Sequence, residues 1–102
     1  MSPTQRTLKY LRDNGYTAVV VASWNAFSKT RRDVFCADIL AFGHGEVLLV
    51  NATDATSVSK RLAKANANAD VLAWAAQPWA KFVVAGWKKG VRGDAGLVWR
   101  VL

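Results

Sequence analysis

Apolar and polar positions change period several times along this chain, and each change marks an element. Ser2-Pro3 reads as a helix N-cap with proline in the first turn. Leu8 and Leu11 follow at a three-residue spacing, so a short helix is expected to about Asn14, with Gly15 as its stop. Tyr16 to Ser23 is β-branched and apolar on both faces, the pattern of a buried strand. Trp24 to Thr30 reads as a polar loop that ends in the Arg31-Arg32 pair. Strands are predicted over Asp33–Phe42 and Glu46–Thr53, joined at Gly43-His44-Gly45. From Ala55 to Ala76 the period becomes helical. Val58, Leu62, Ala65, Ala69, Leu72 and Ala76 form one apolar stripe, and Gln77-Pro78 closes the helix. Strands over Lys81–Trp87 and Leu97–Leu102, with a turn region at Gly90–Gly96 between them, complete an αβββαββ order. This order predicts an α/β fold with a mixed central sheet and a helix on at least one face.

At 102 residues the chain suits one domain spanning 1–102, and 52% hydrophobic against 21% charged residues is a globular composition. The single Cys36 excludes an internal disulfide and a zinc knuckle, and the single His44 excludes a three-His zinc site. Apolar runs such as Ala18 to Ala22 are too short to span a bilayer. No membrane association and a cytoplasmic, reducing location are therefore expected.

Charge changes the picture most. Fourteen Lys and Arg against seven Asp and Glu give +7, which points to a polyanionic partner, nucleic acid first and anionic lipid second. The distribution is uneven. Residues 33–54 hold no cation but four acids, Asp33, Asp38, Glu46 and Asp54, and basic segments flank them. A metal-dependent enzyme acting on phosphodiesters uses such a division: carboxylates hold the cation, and surrounding cations hold the substrate. Acids at turns and strand ends would produce the same count.

If Gly43 pairs with Glu46, then Phe42 faces Val47, Asp38 faces Asn51, and Cys36 faces Thr53. Asp38 then stands on an otherwise apolar face beside an amide and a hydroxyl. A buried carboxylate is costly unless paired, hydrogen-bonded or bound to metal. The plainer alternative is a strand-end aspartate capped by local hydrogen bonds.

The run Arg32-Asp33-Val34-Phe35-Cys36-Ala37-Asp38-Ile39-Leu40, followed by Val47-Leu48-Leu49-Val50-Asn51-Ala52-Thr53, resembles the PD-(D/E)XK nuclease superfamily, in particular its small Holliday-junction-resolvase-like and phage-encoded members. The helix bearing Lys60, Arg61 and Lys64 and the strand ending in Lys88-Lys89 extend the likeness. The resemblance implies a restriction-endonuclease-like αβββαβ core flanked by helices, a homodimer, and a bacterial or phage-infected cell as the setting. It also implies a Mg²⁺ or Mn²⁺ ion held by Asp38 and Asn51. Asn51 and Thr53 fall where the family carries its second acid and its lysine. Asn51 offers oxygen without charge, and Thr53 cannot act as a cation. Asp33 or Asp54 would have to add a carboxylate, and Lys60 or Lys64 would have to stand in for the lysine. The N-terminal helix has Gln5 and no glutamate.

On this reading Asp38, Asn51, Thr53 and Lys60 form the catalytic set. Arg31, Arg32, Lys60, Arg61, Lys64, Lys88 and Lys89 form a phosphate track on DNA. His44 is expected to be a solvated turn residue and Cys36 a small core residue. Trp74 lies opposite the apolar stripe by helical phase. An exposed subset of the five tryptophans would serve base stacking or a protein interface. The sequence thus leads to a DNA-binding nuclease-fold protein that hydrolyses phosphodiesters in branched DNA. The alternatives are a relative that binds DNA without cutting and a protein-interaction module.

Overall fold

The computed structural model describes residues 1–25, 30–32 and 34–102. Helix α1 spans Pro3–Asp13, with the Ser2 hydroxyl accepting from the Gln5 amide, Pro3 in the first turn and Asn14 as C-cap. Gly15 follows at φ 86°, a left-handed stop that glycine adopts without a Cβ penalty. The strands are β1 (Thr17–Val20), β2 (Ser23–Asn25), β3 (Thr30–Arg32), β4 (Ile39–Gly43), β5 (Glu46–Asp54), β6 (Ala80–Trp87) and β7 (Leu97–Val101). Between β5 and β6 lie a 3₁₀ turn and two helices, α2 (Val58–Asn66) and α3 (Ala69–Ala75).

Five strands form one sheet in the order β1-β4-β5-β6-β7, and β2 and β3 form a separate hairpin. Only β5 and β6 run parallel within the large sheet, so the α/β class with a mixed sheet holds. A parallel neighbour needs a crossover, which the α2–α3 segment supplies. Both faces are covered. Leu8 and Leu11 of α1 pack with Ile39, Leu48, Val50 and Val83 on one side. Val58, Ala65 and Val71 pack with Leu49, Phe82 and Val84 on the other. Among the described residues, no helix is long and apolar enough to cross a membrane.

Four expectations need correction. The first strand is not buried: it pairs only with β4, and Val19 and Val20 are exposed on this edge. Apolar runs mark buried strands only where both faces are covered, and no described helix lies over the outer face of β1. The anticipated loop at 24–30 contains β2 and begins β3, while residues 26–29 and Asp33 lie outside the described residues. The long second strand begins only at Ile39. Ahead of it Val34 and Ala37 close a tight turn by exchanging hydrogen bonds of 3.2 and 2.8 Å, with Phe35 and Cys36 at φ 47° and 64°. Two left-handed central residues define a primed turn, which apolar alternation cannot reveal.

The fourth correction concerns the single helix over 55–76, which is two helices. Asn68 restarts the helix by accepting from the amides of Asp70 and Val71 at 2.9 and 3.3 Å. The restart shifts the phase of the stripe. Val71 is buried, Leu72 is exposed, and Trp74 turns inward against the core instead of away from it.

Gly86 fixes how the crossover docks. A Cβ there would sit 2.2 Å from Val58 Cγ2 and 3.0 Å from Ala55 Cα, so only glycine lets the start of the crossover lie on β6. Gly86→Ala is expected to cost about 1–3 kcal/mol through overpacking, read as a lowered thermal midpoint with unchanged far-UV dichroism.

At the opposite end of the sheet, Glu46 accepts from Tyr16 Oη at 2.6 Å and pairs with Lys81 Nζ at 2.7 Å. The Lys81 and Tyr16 hydrogen bonds hold the Glu46 carboxyl below its ordinary 4.5. The same Glu46 bond, with burial, pushes the Tyr16 hydroxyl up to about 12. Because the Glu46 value falls on folding, its contribution is complete above 4.5 and disappears as pH drops through the lower folded value. Urea unfolding between pH 7 and pH 3 is expected to show a smaller acid loss of stability in Glu46→Gln than in wild type.

Candidate functional site

The parallel pair β5–β6 ends at the Asp54–Trp87 register. Ligands of open α/β sheets gather outside the carboxyl ends of parallel strands, where the chain leaves for a helix. Here the last residues of β5 bring unusual polarity into the sheet. The buried polar side chains among the described residues are Thr7, Asp38, Asn51 and Thr53. Thr7 is fully accounted for: its hydroxyl donates to Pro3 O at 2.8 Å and accepts from Trp87 Nε1 at 2.9 Å. The other three are the sheet residues singled out from the sequence.

Asp38 sits just before β4, one residue ahead of the last ladder pair, Ile39 with Val50, so the predicted pairing with Asn51 is not part of the ladder. Its amide donates to Val50 O at 2.9 Å, and its carbonyl accepts from Val21 and Ala22 at 2.8 and 3.3 Å. Its carboxylate Oδ2 accepts the Ala52 amide at 2.8 Å. Beyond Ile39 the β4 backbone has left the ladder, and this carboxylate takes the place of the lost strand acceptor. Asp38 is therefore a buried acid just ahead of β4, tied by hydrogen bonds to β5 and to the segment after β1 and not by local capping.

Asn51 lies on the face of Leu49, and its Nδ2 donates to Cys36 O at 2.7 Å. Its Oδ1 is buried with no hydrogen-bond partner. An orphaned buried acceptor costs about 1–3 kcal/mol unless a water, a cation or a ligand donor meets it. Cys36 does not face Thr53 as predicted. It lies in the left-handed turn, half-buried, with Asn68 Nδ2 3.5 Å from its Sγ. That turn departs from the expected strand because its carbonyl and thiol are tied to β5 and to the α2–α3 junction.

Asp54 does not turn inward. Its Oδ1 accepts from Thr56 Oγ1 at 2.6 Å and from the Ser57 amide at 3.0 Å, capping the 3₁₀ turn. Those bonds, Thr56 first, hold its carboxyl below the ordinary range. His44 is exposed in its turn, as expected. Its Nε2 lies 2.8 Å from Asn14 O at the end of α1.

The basic residues divide into separate groups. Lys60, Arg61 and Lys64 line a groove of about 300 Å³ on α2 with Ser57 and no acid. Lys60 thus belongs to this exposed groove, apart from the buried sheet residues. Lys88 and Lys89 follow β6 and line a hollow of about 230 Å³ with Asp54, Thr56 and Trp87. Arg31 and Arg32 lie on β3, paired with Trp24 and Ser23 of β2. Among the described residues the ion pairs are Lys9–Asp13 and Lys81–Glu46, so no described carboxylate pairs directly with the cations of the α2 groove, while Asp54 shares the hollow of Lys88 and Lys89 and feels the Lys89 charge.

Sequence reasoning missed Arg6. Its guanidinium donates to Val91 O and Gly93 O, each at 3.1 Å, and lies 4.3 Å above the Trp87 ring. An arginine beside a glycine-rich turn 85 residues away left no local signal. The tryptophans are mainly structural. Trp87 is buried, Trp99 packs against Tyr10 at 5.6 Å, and Trp74 meets Trp79 edge-on at 5.2 Å, which leaves Trp79 as the exposed one of these four.

Among the described residues, no three His, Cys, Asp or Glu converge as a metal-binding group. Comparisons with protein-family models, curated proteins and solved structures find no match to the chain.

Removing the Asp38 carboxylate should expose the strand-capping role directly. Asp38→Ala is expected to lose about 2–3 kcal/mol of unfolding free energy in urea, because a buried charged hydrogen bond is lost and the Ala52 amide is orphaned. Asp38→Asn keeps an acceptor for that amide and should lose less than half as much.

Proposed function

We propose that this chain is a DNA-binding protein with a nuclease-like αβββαβ core, and that it grips the phosphate backbone with side chains of α2. The acid-free groove of Lys60, Arg61 and Lys64 carries this reading. Three cations on adjacent helical turns, without carboxylate partners, form a row matched to a phosphodiester chain and release its counterions on contact. Lys88 and Lys89, at the end of the neighbouring strand, add positive potential on the sheet edge that carries the start of α2.

One observation favours a second, enzymatic reading of the same fold: the buried, unpartnered Asn51 Oδ1 on β5 one residue from the Ala52 amide that Asp38 caps. Asp38 and Asn51 would hold Mg²⁺ or Mn²⁺ there. When bound, the ion would supply charge neutralisation at a scissile phosphate and a water of lowered pKa. Asp38 supplies the charge, Asn51 a neutral oxygen, and the α2 cations hold the backbone. Thr53 contributes a buried hydroxyl and no charge.

Binding and cleavage are measured together on duplex, single-stranded and four-way-junction DNA with Mg²⁺ or Mn²⁺. Wild type is expected to bind with a steep salt dependence. Replacing Lys60, Arg61 and Lys64 together by Gln should flatten the log–log salt slope by about three, close to one per lost phosphate contact. Binding that is insensitive to salt, or unchanged in this variant, would sink the proposal. Cleavage by wild type that disappears in Asp38→Asn, with binding kept, would establish the enzymatic reading. Salt-sensitive binding without cleavage by wild type would restrict the fold to grip alone.

A further inference from the structure

The segment after β6 reads Lys88-Lys89-Gly90-Val91-Arg92-Gly93, three cations and two glycines in six residues. Gly90 and Gly93 adopt φ 76° and 68°, and a Cβ at either would meet nothing within 4 Å. The loop backbone is therefore bare at both glycines and can be approached closely. Beside it lies an open trough of about 540 Å³ lined by Met1, Arg6, Gly90, Val91, Arg92 and Gly93. Lys88 and Lys89 line the adjoining hollow, with Arg6, Trp87 and Asp54.

The loop is held in shape from beneath. Arg6 bonds the carbonyls of Val91 and Gly93 and stacks on buried Trp87, which ties the loop to α1 and to the end of β6. The guanidinium spends two of its donors on this bracing, and its positive charge remains at the trough. Two acids are near. Asp54 uses its Oδ1 to cap the 3₁₀ turn, and Asp94 lies one residue past the loop. Neither forms an ion pair with Lys88, Lys89 or Arg92 among the described residues.

From this we infer that the Lys88–Gly93 loop, braced by Arg6, is a second phosphate-binding element, separate from the α2 groove, that takes a further stretch of the same nucleic-acid backbone. The inference rests on the DNA-binding reading and extends it. Charge at the loop, bare backbone at its glycines and a rigid support suit an anionic, sequence-independent contact. A lipid surface is less well matched, because the loop offers it a single large apolar side chain, Val91, which is exposed but has no apolar neighbour within the loop.

The test compares wild type with Lys88→Gln/Arg92→Gln and with the α2 triple variant. Each is titrated with duplex DNA across a fourfold range of salt and, separately, with anionic vesicles. Both loop side chains are exposed, so the thermal midpoint of the loop variant should match wild type. The loop variant is expected to lose about two from the salt slope, so a fourfold rise in salt weakens it about tenfold less than it weakens wild type. A wild-type slope in the loop variant, with a reduced slope in the α2 variant, would overturn the loop inference and leave the DNA-binding reading standing. No salt-dependent duplex binding by wild type would defeat both. A loop variant that loses vesicle binding while keeping the wild-type DNA slope would reassign the loop to lipid.

Discussion

One buried carboxylate organises the centre of this sheet. Asp38 meets β5 through its amide and its side chain, and the segment after β1 through its carbonyl, so three segments converge on one residue. A strand that ended at Ile39 without it would leave the Ala52 amide in an apolar sheet interior, where a lost partner is costly. With the carboxylate in that position the chain is free to turn away. The Val34–Ala37 turn uses this freedom, and it places Cys36 O on Asn51 Nδ2.

The same junction explains where polarity collects. Phe35 and Cys36 hold left-handed backbone angles that side chains other than glycine adopt at some cost. The turn anchors one end of the Asn51 amide and leaves its oxygen unpaired. Strain and an unmatched acceptor thus occur within a few residues of each other, beside a buried acid.

The basic surface depends on a different constraint, the close approach at Gly86. Because β6 carries no side chain there, Ala55 and Val58 settle onto the strand and α2 starts directly above its end. The crossover therefore presents Lys60, Arg61 and Lys64 on the helix whose first turn lies over the strand that delivers Lys88 and Lys89. Arg6 reaches the same end from α1 and braces the loop beyond it. Arg6, Lys88 and Lys89, far apart in sequence, thus line one hollow at the end of β6.

Much of this was written in local patterns. Ser2-Pro3 and Gly15 bound the first helix, the Gly43–Glu46 pairing sets the register of β4 on β5, and the charge segregation sets an acidic block between basic segments. The register placed Asn51 and Thr53 on the face of Val47 and Leu49, whereas the burial of β5 on both faces comes from the helices packed over the sheet. What the sequence could not carry were events that reverse or restart a period. The turn at Phe35-Cys36 lacks glycine, Asn68 caps a new helix inside a continuous apolar stripe, and Arg6 finds partners 85 and 87 residues away. Local alternation and capping are encoded by neighbours in the chain, so they are legible there. The role of Asp38 as a substitute strand partner, the orphaned Asn51 oxygen and the braced loop depend on contacts between distant segments, and only tertiary packing decides those.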